Sequence, residues 1–193
     1  MCSSDLDYII PFDDIDVSLE DENYIFNLLK SHDQTKVLDY HGYLSPRLTF
    51  KTKLAKDLKN FGEKLNLRLA GIYAFTANAN THTSIHVDGD EATGPLPWRL
   101  CWYCRGDAAV LNWYDASTNT KFNDHDYAFI YPDSLKPIMS IKLDMKSAFV
   151  RTEVPHNLDL SGTKENRLTI TATFKPYISW KELQGRLAHV KDC

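Results

Sequence analysis

Leu67-Arg-Leu-Ala-Gly-Ile-Tyr-Ala-Phe75 decides how the chain is read. Its alternation and its apolar and aromatic content predict a strand. The stretch just before it, Lys51 to Asn66, instead carries Leu54, Leu58, Phe61 and Leu65 at steps of four, three and four, with Lys, Asp and Glu filling the other face. That spacing predicts an amphipathic helix whose leucine stripe packs on a sheet. The chain therefore changes from helical to β character after Asn66.

Working outward, Tyr8-Ile-Ile-Pro-Phe12 is a short opening strand or edge segment, and Ser18 with Asp21 and Glu22 behind it marks a helix start. Ile25, Leu28 and Leu29 give that helix one apolar face. Val37 to Phe50, with Gly42 and Pro46 among aromatic residues, reads as an irregular or strand-loop connection. Downstream, Trp98 to Tyr103, Ala108 to Tyr114, Ala128 to Tyr131, Ser147 to Thr152 and Arg167 to Phe174 are strand candidates. Turn clusters such as Arg105-Gly-Asp and Asp115-Ala-Ser-Thr-Asn separate them. Trp180, Leu183, Leu187 and Val190 stand at helical spacing and predict a closing helix. The expected fold is mainly β, a sandwich or jelly roll with helices outside one sheet. A single domain is expected over 1–193, with helical support to about residue 66 and a β core over about 67–176.

With 22 basic and 26 acidic residues the formal charge is −4, which argues against a broad grip on duplex nucleic acid or anionic lipid. No apolar run reaches membrane-spanning length, and the opening Met-Cys-Ser-Ser-Asp-Leu-Asp is acidic where a secretion signal is basic. A soluble, cytoplasmic protein acting on a small molecule is expected. Nothing in the sequence fixes its oligomeric state. Cys2, Cys101, Cys104 and Cys193 make no disulfide framework. Strand alternation points Cys101 and Cys104 to opposite faces, so they read as buried thiols rather than a metal pair.

The chemistry is concentrated in Thr83-Ser-Ile-His86-Val-Asp88-Gly89. In a strand, residues two apart share a face, so His86 and Asp88 can converge on one ion. Alone, the pair reads more simply as a surface histidine and a turn-starting aspartate before Gly89. A second histidine, His156, follows Val154-Pro155 and is separated from His86 by several strands that a jelly roll can fold back. Two histidines and one carboxylate with open positions opposite suit non-haem Fe(II) and oxygen chemistry, whereas a closed structural zinc site needs a fourth ligand.

His86-Val-Asp88, His156 and Arg167-Leu-Thr169 together resemble the Fe(II)- and 2-oxoglutarate-dependent oxygenases: His-x-Asp, a distal His, an Arg about ten residues on and Ser or Thr two further. The resemblance spans roughly Tyr73 to Phe174. It implies a double-stranded β-helix, iron held by His86, Asp88 and His156, and 2-oxoglutarate and O2 at the remaining positions. The far carboxylate of the cosubstrate would meet Arg167, with a hydrogen bond from Thr169 and a further one from Tyr73. The reaction implied is hydroxylation of a C–H bond with release of succinate and CO2.

Trp98, Arg99, Trp113 and Arg151, near strand ends around the same mouth, are candidate substrate residues, with core packing the simpler account of Trp113 and Tyr114. His82 reads as a supporting or surface residue, and His125 as part of a turn. Two other functions stay open: a non-catalytic cupin-like jelly roll that binds a metal or small ligand, and a zinc hydrolase on the same three ligands. Both leave Arg167 and Thr169 without a task.

Overall fold

Each strand that alternation predicts is present in the computed structural model, which describes residues 7–31, 53–90, 94–106, 108–115, 121–122, 129–131 and 133–191. Val37 to Phe50, His125, Cys2 and Cys193 lie outside the described residues. In chain order the elements are β1 (Ile9–Pro11), α1 (Leu19–Ser31), α2 (Lys53–Lys64), β2 (Arg68–Ala77), β3 (Ile85–Val87), β4 (Gly89–Asp90), β5 (Gly94–Pro95), β6 (Trp98–Arg105), β7 (Val110–Tyr114), β8 (Lys121–Phe122), β9 (Phe129–Tyr131), β10 (Pro137–Lys142), β11 (Ser147–Arg151), β12 (His156–Asp159), β13 (Arg167–Lys175) and α3 (Trp180–Lys191).

Ser18 starts α1 as its sequence signature predicts, its Oγ accepting from the Asp21 N–H at 3.1 Å. Asp21 is itself buried and accepts from the Leu54 N–H at 3.1 Å, which places a carboxylate on the first turn of α2 and joins the two helices. Ser179 caps α3 in the same way through the Glu182 N–H.

Among the described residues the strands form a five-stranded sheet, β1-β11-β6-β13-β2, and a six-stranded sheet, β10-β7-β12-β3-β9-β8, with β4-β5 a separate two-stranded ladder. All of these pairings are antiparallel. From β2 to β3, β6 to β7 and then β11 to β12 to β13, the chain passes back and forth between the two sheets. That alternation is the winding of a jelly roll, or double-stranded β-helix.

The two faces of the five-stranded sheet have different partners. Leu100, Trp102, Phe149, Ile170, Ala172 and Phe174 pack against Leu54, Leu58 and Phe61 of α2 and Leu183 and Leu187 of α3. The leucine stripe of α2 is therefore a packing face, as its period predicts. On the other face Ile9, Cys101, Ala148 and Val150 meet Leu111 and Trp113 of the six-stranded sheet. Cys101 thus lies between the sheets, while Cys104 packs toward the helices.

Register arranges this inner face in rows, because paired residues share a side. Ile9, Val150 and Arg99 form one row; Ala148, Cys101, Thr171 and Tyr73 the next; Tyr103, Thr169 and Phe75 the third; Arg167 and Ala77 the fourth. A register shift between Leu168 and Thr169 leaves an extra β6 residue unmatched, so Arg105 pairs with Leu168 on the helix side instead of following Tyr103 inward. There Arg105 forms an ion pair with Glu22 and stands 4.1 Å over the Phe26 ring, fastening α1 to the sheet. Among the described residues no helix is long and apolar enough to cross a membrane.

Candidate metal centre

His86 and His156 are cross-strand partners at the junction of β3 and β12. Their rings lie 4.6 Å apart at 45°. Each ring is oriented by the same local device: Nδ1 of His86 meets the Ser84 carbonyl at 2.8 Å, and Nδ1 of His156 meets the Val154 carbonyl at 2.9 Å. A carbonyl only accepts, so both Nδ1 atoms carry the proton and both Nε2 lone pairs are left for an ion.

Asp88 follows β3 directly, and its Oδ1 stands 3.6 Å from Nε2 of His86. One ligand atom from each of His86, Asp88 and His156 lies within 4.8 Å of the others. The Asp88 backbone is pinned on both sides: its N–H donates to the Thr152 carbonyl at 3.2 Å, and its carbonyl accepts from the Leu96 N–H at 2.7 Å. Gly89 closes the β4-β5 ladder right behind it. A Cβ there would come within 2.5 Å of the Gly94 carbonyl oxygen, so the tight turn beside the carboxylate requires glycine.

Burial alone would raise the Asp88 pKa, but Arg99 first, then His156 and His86, outweigh it and hold the carboxyl below its ordinary value. Arg99 Nε is 2.7 Å from Asp88 Oδ2. The contact is an ion pair at short range, with the N–H off line for a regular hydrogen bond. Burial, followed by His86, pushes His156 down to about 4, although Asp88 and the Val154 carbonyl pull the other way. At neutral pH the site thus offers a neutral imidazole at His156 and an ionised carboxylate, the states in which these groups ligate metals.

Beyond the triad, the inner face of the opposite sheet is polar. Arg167 is 2 % exposed, and its guanidinium stands 4.6 Å over the Tyr103 ring. Between the Arg99 row and the Arg167 row lie Cys101, Thr171, Tyr103 and Thr169. Burial raises the Cys101 thiol to about 12, with Arg99 and Arg167 drawing it down and Asp88 lifting it. Burial also holds Tyr103 well above its ordinary value, so its hydroxyl is a donor at any physiological pH. The Tyr103 hydroxyl and the Thr171 Oγ1 are both buried and accept or donate no hydrogen bond within the protein. Such groups cost about 1–3 kcal/mol each, and an oxygen-rich ligand between the sheets would satisfy them. The donor set fits a divalent ion with open positions: two nitrogens and a carboxylate, with no fourth ligand in the cluster among the described residues.

The structure brings His86, Asp88 and His156 together and puts Arg167 and Thr169 on the inner face opposite them. His156 is the first residue of β12. Tyr73 shares the row of Thr171, but its side chain folds along its own strand over Gly71, where a Cβ would meet the Tyr73 oxygen at 2.8 Å. Trp98, expected at a substrate mouth, lies on the helix side, its indole N–H donating to the Ile178 carbonyl at 3.0 Å. The parity of β6 explains this: Arg99 and Trp98 cannot both face inward. Trp113 is fully buried between the sheets, with its N–H on the Arg151 carbonyl. Arg151 is half-buried and paired with Glu153 at 2.8 Å. His82 is exposed, in an isolated bridge to Asp159. Sequence reasoning passed over Tyr103 and Thr171, whose place in the site depends on register between distant strands, and did not anticipate the Asp88 partnership of Arg99.

No family model and no curated protein matches the chain. Similar solved structures include HygX from Streptomyces hygroscopicus with nickel and 2-oxoglutarate bound, at 14% identity over 87% of this chain and 81% of that one, TM-score 0.47. Another is ycfD of E. coli, at 13% identity over 66% of this chain, TM-score 0.41; the chain spans 31% of the length of that protein. A cupin 2 domain-containing protein from Halorhodospira halophila is similar at 10% identity over 93% of this chain and 88% of that one, TM-score 0.33.

Proposed function

We propose that this chain is an Fe(II)- and 2-oxoglutarate-dependent oxygenase that hydroxylates a small molecule or amino-acid derivative. The observation that carries the reading is the pairing of two features across one interior: three converging metal-ligand atoms on one sheet, and a buried arginine with two unpartnered hydroxyls on the other. A metal alone would account for the first feature. The second suits an anion with several oxygens, which the two hydroxyls could hydrogen-bond.

In this reading His86, Asp88 and His156 hold the iron, and iron with 2-oxoglutarate and O2 supplies the oxidation of an unactivated C–H bond, with succinate and CO2 released. The chain's own residues do the rest. Arg167 neutralises the far carboxylate of the cosubstrate, its planar fork suited to bidentate pairing. Tyr103, Thr171 and Thr169 supply hydroxyls along the way. Nδ1–H bonds to Ser84 and Val154 keep both imidazoles facing the ion. Ile9, Val150, Leu111 and Trp113 close one end of the interior against water.

The test is O2-dependent succinate release from 2-oxoglutarate by the Fe(II)-supplemented protein, screened with amino acids and small metabolites. Release that rises with one substrate and disappears in Asp88→Ala supports the reading. Absence of succinate above a metal-free control, with iron bound, contradicts it.

A further inference from the structure

Arg99 faces the carboxylate of Asp88, one of the three metal ligands in this reading. Its Nε is 2.7 Å from Asp88 Oδ2, while Oδ1, the other oxygen, is the one 3.6 Å from His86 Nε2. Both side chains are about one-sixth exposed, 18% and 17%, so water screens the pair only partly. The Arg99 side chain is held from below as well: its guanidinium stands 5.8 Å from the Phe75 ring, and its backbone pairs with Val150 in the middle of the sheet.

We infer that Arg99 is a positioning residue that assigns the two oxygens of Asp88, keeping Oδ2 for itself and presenting Oδ1 alone to the metal. This rests on the reading of His86, Asp88 and His156 as a metal site. The physical argument is one of competition. A carboxylate that is free to rotate can chelate a divalent ion through both oxygens and so fill a position that a one-oxygen ligand leaves open. A cation fixed beside Oδ2 favours the single-oxygen mode and keeps that position for a ligand from outside the protein. The Asp88 backbone is fixed by Thr152 and Leu96, which leaves side-chain rotation as the movement for Arg99 to restrain. Arg99 therefore sets how many places at the ion are open, without touching the ion.

The experiment binds Co(II) anaerobically to the wild-type protein, Arg99→Met and Arg99→Lys, reading the affinity by titration and the coordination by visible ligand-field absorption. Methionine fills the space of the arginine stem without its charge. Lysine restores a cation within reach of Oδ2. R99M is expected to show a visible spectrum shifted toward a higher coordination number, because the freed carboxylate adds its second oxygen to the ion. R99K is expected to return to the wild-type spectrum with affinity within a few-fold. An R99M spectrum that superimposes on wild type, or R99K and R99M altered alike, would overturn the proposal. Should R99M fail to fold by circular dichroism, R99Q takes its place under the same criteria. Failure of the wild-type protein to bind Co(II) would instead strike the metal reading itself.

Discussion

His86 and His156 face each other across a single antiparallel pairing, and each imidazole is turned by a bond from Nδ1 to the carbonyl two residues before it. Two strands remote in sequence thus carry the same local construction to the same point. The repetition explains how a site can be rigid before any ion arrives: the ring orientation is written into each tripeptide, and the pairing of β3 with β12 brings the two together.

Replacing Asp88 by Ala should leave the fold intact and weaken Co(II) or Fe(II) binding by more than the roughly 100-fold upper range of an outer-shell loss. Calorimetric titration of the folded variant checks this. An affinity close to wild type would remove Asp88 from the ligand set.

Acid should unfold the metal-free protein in a window set by His156. Burial and the neighbouring His86 depress its folded pKa to about 4 from the ordinary 6.5. Between those values the unfolded chain binds the proton and the folded chain does not, so stability is full above 6.5 and falls as pH drops toward 4, by up to about 3 kcal/mol. Urea unfolding of wild type and His156→Phe from pH 7.5 to 4.5 isolates the contribution, since the variant should lose this part of the slope. Parallel profiles in the two proteins would contradict it.

Removing the Tyr103 hydroxyl should separate stability from binding. In the metal-free protein that buried oxygen has no hydrogen-bond partner, so Tyr103→Phe should be neutral or stabilising by about 1 kcal/mol. The same change should weaken 2-oxoglutarate binding to the Fe(II) or Co(II) protein. A loss of stability with unchanged 2-oxoglutarate affinity would show that the hydroxyl serves the fold.

Two glycine substitutions should act in opposite directions. Gly89→Ala forces a Cβ onto the Gly94 and Pro95 backbone beside Asp88, and should cost about 1–3 kcal/mol and weaken metal binding. Gly185→Ala, on the exposed side of α3 with open space around it, should stabilise by about 0.5–1 kcal/mol and leave the metal site unchanged. Thermal melts with and without Co(II) measure both.

Most of the architecture was legible because period is a local property. The α2 stripe, the β2 and β13 alternation and the Ser18 start need no knowledge of distant residues. The strands that alternation did not predict are short or polar: β12 reads His-Asn-Leu-Asp, and β10, the edge of its sheet, reads Pro-Ile-Met-Ser-Ile-Lys with its side chains largely in solvent. β12 is held partly by Asn157, which accepts from Asn112 and Tyr114 and donates to the Thr83 carbonyl, a set of long-range bonds that a sequence window cannot register. At the site, the candidate triad of His86, Asp88 and His156, and the inward arginine Arg167, could be singled out from residue type and order. The partnership of Arg99 with Asp88, and the placing of Tyr103 and Thr171 beside Arg167, depend on register and on the bulge in β6.

Whether one interior holds both an iron ion and 2-oxoglutarate is decided by anaerobic titration of the protein with Fe(II) and then 2-oxoglutarate. The expected result is a weak visible metal-to-ligand absorption band that saturates at one equivalent per chain, is abolished in Asp88→Ala, and requires much higher 2-oxoglutarate in Arg167→Ala while iron affinity stays within a few-fold. Iron bound with no such band at saturating 2-oxoglutarate, or equal 2-oxoglutarate affinity with and without Arg167, would contradict it.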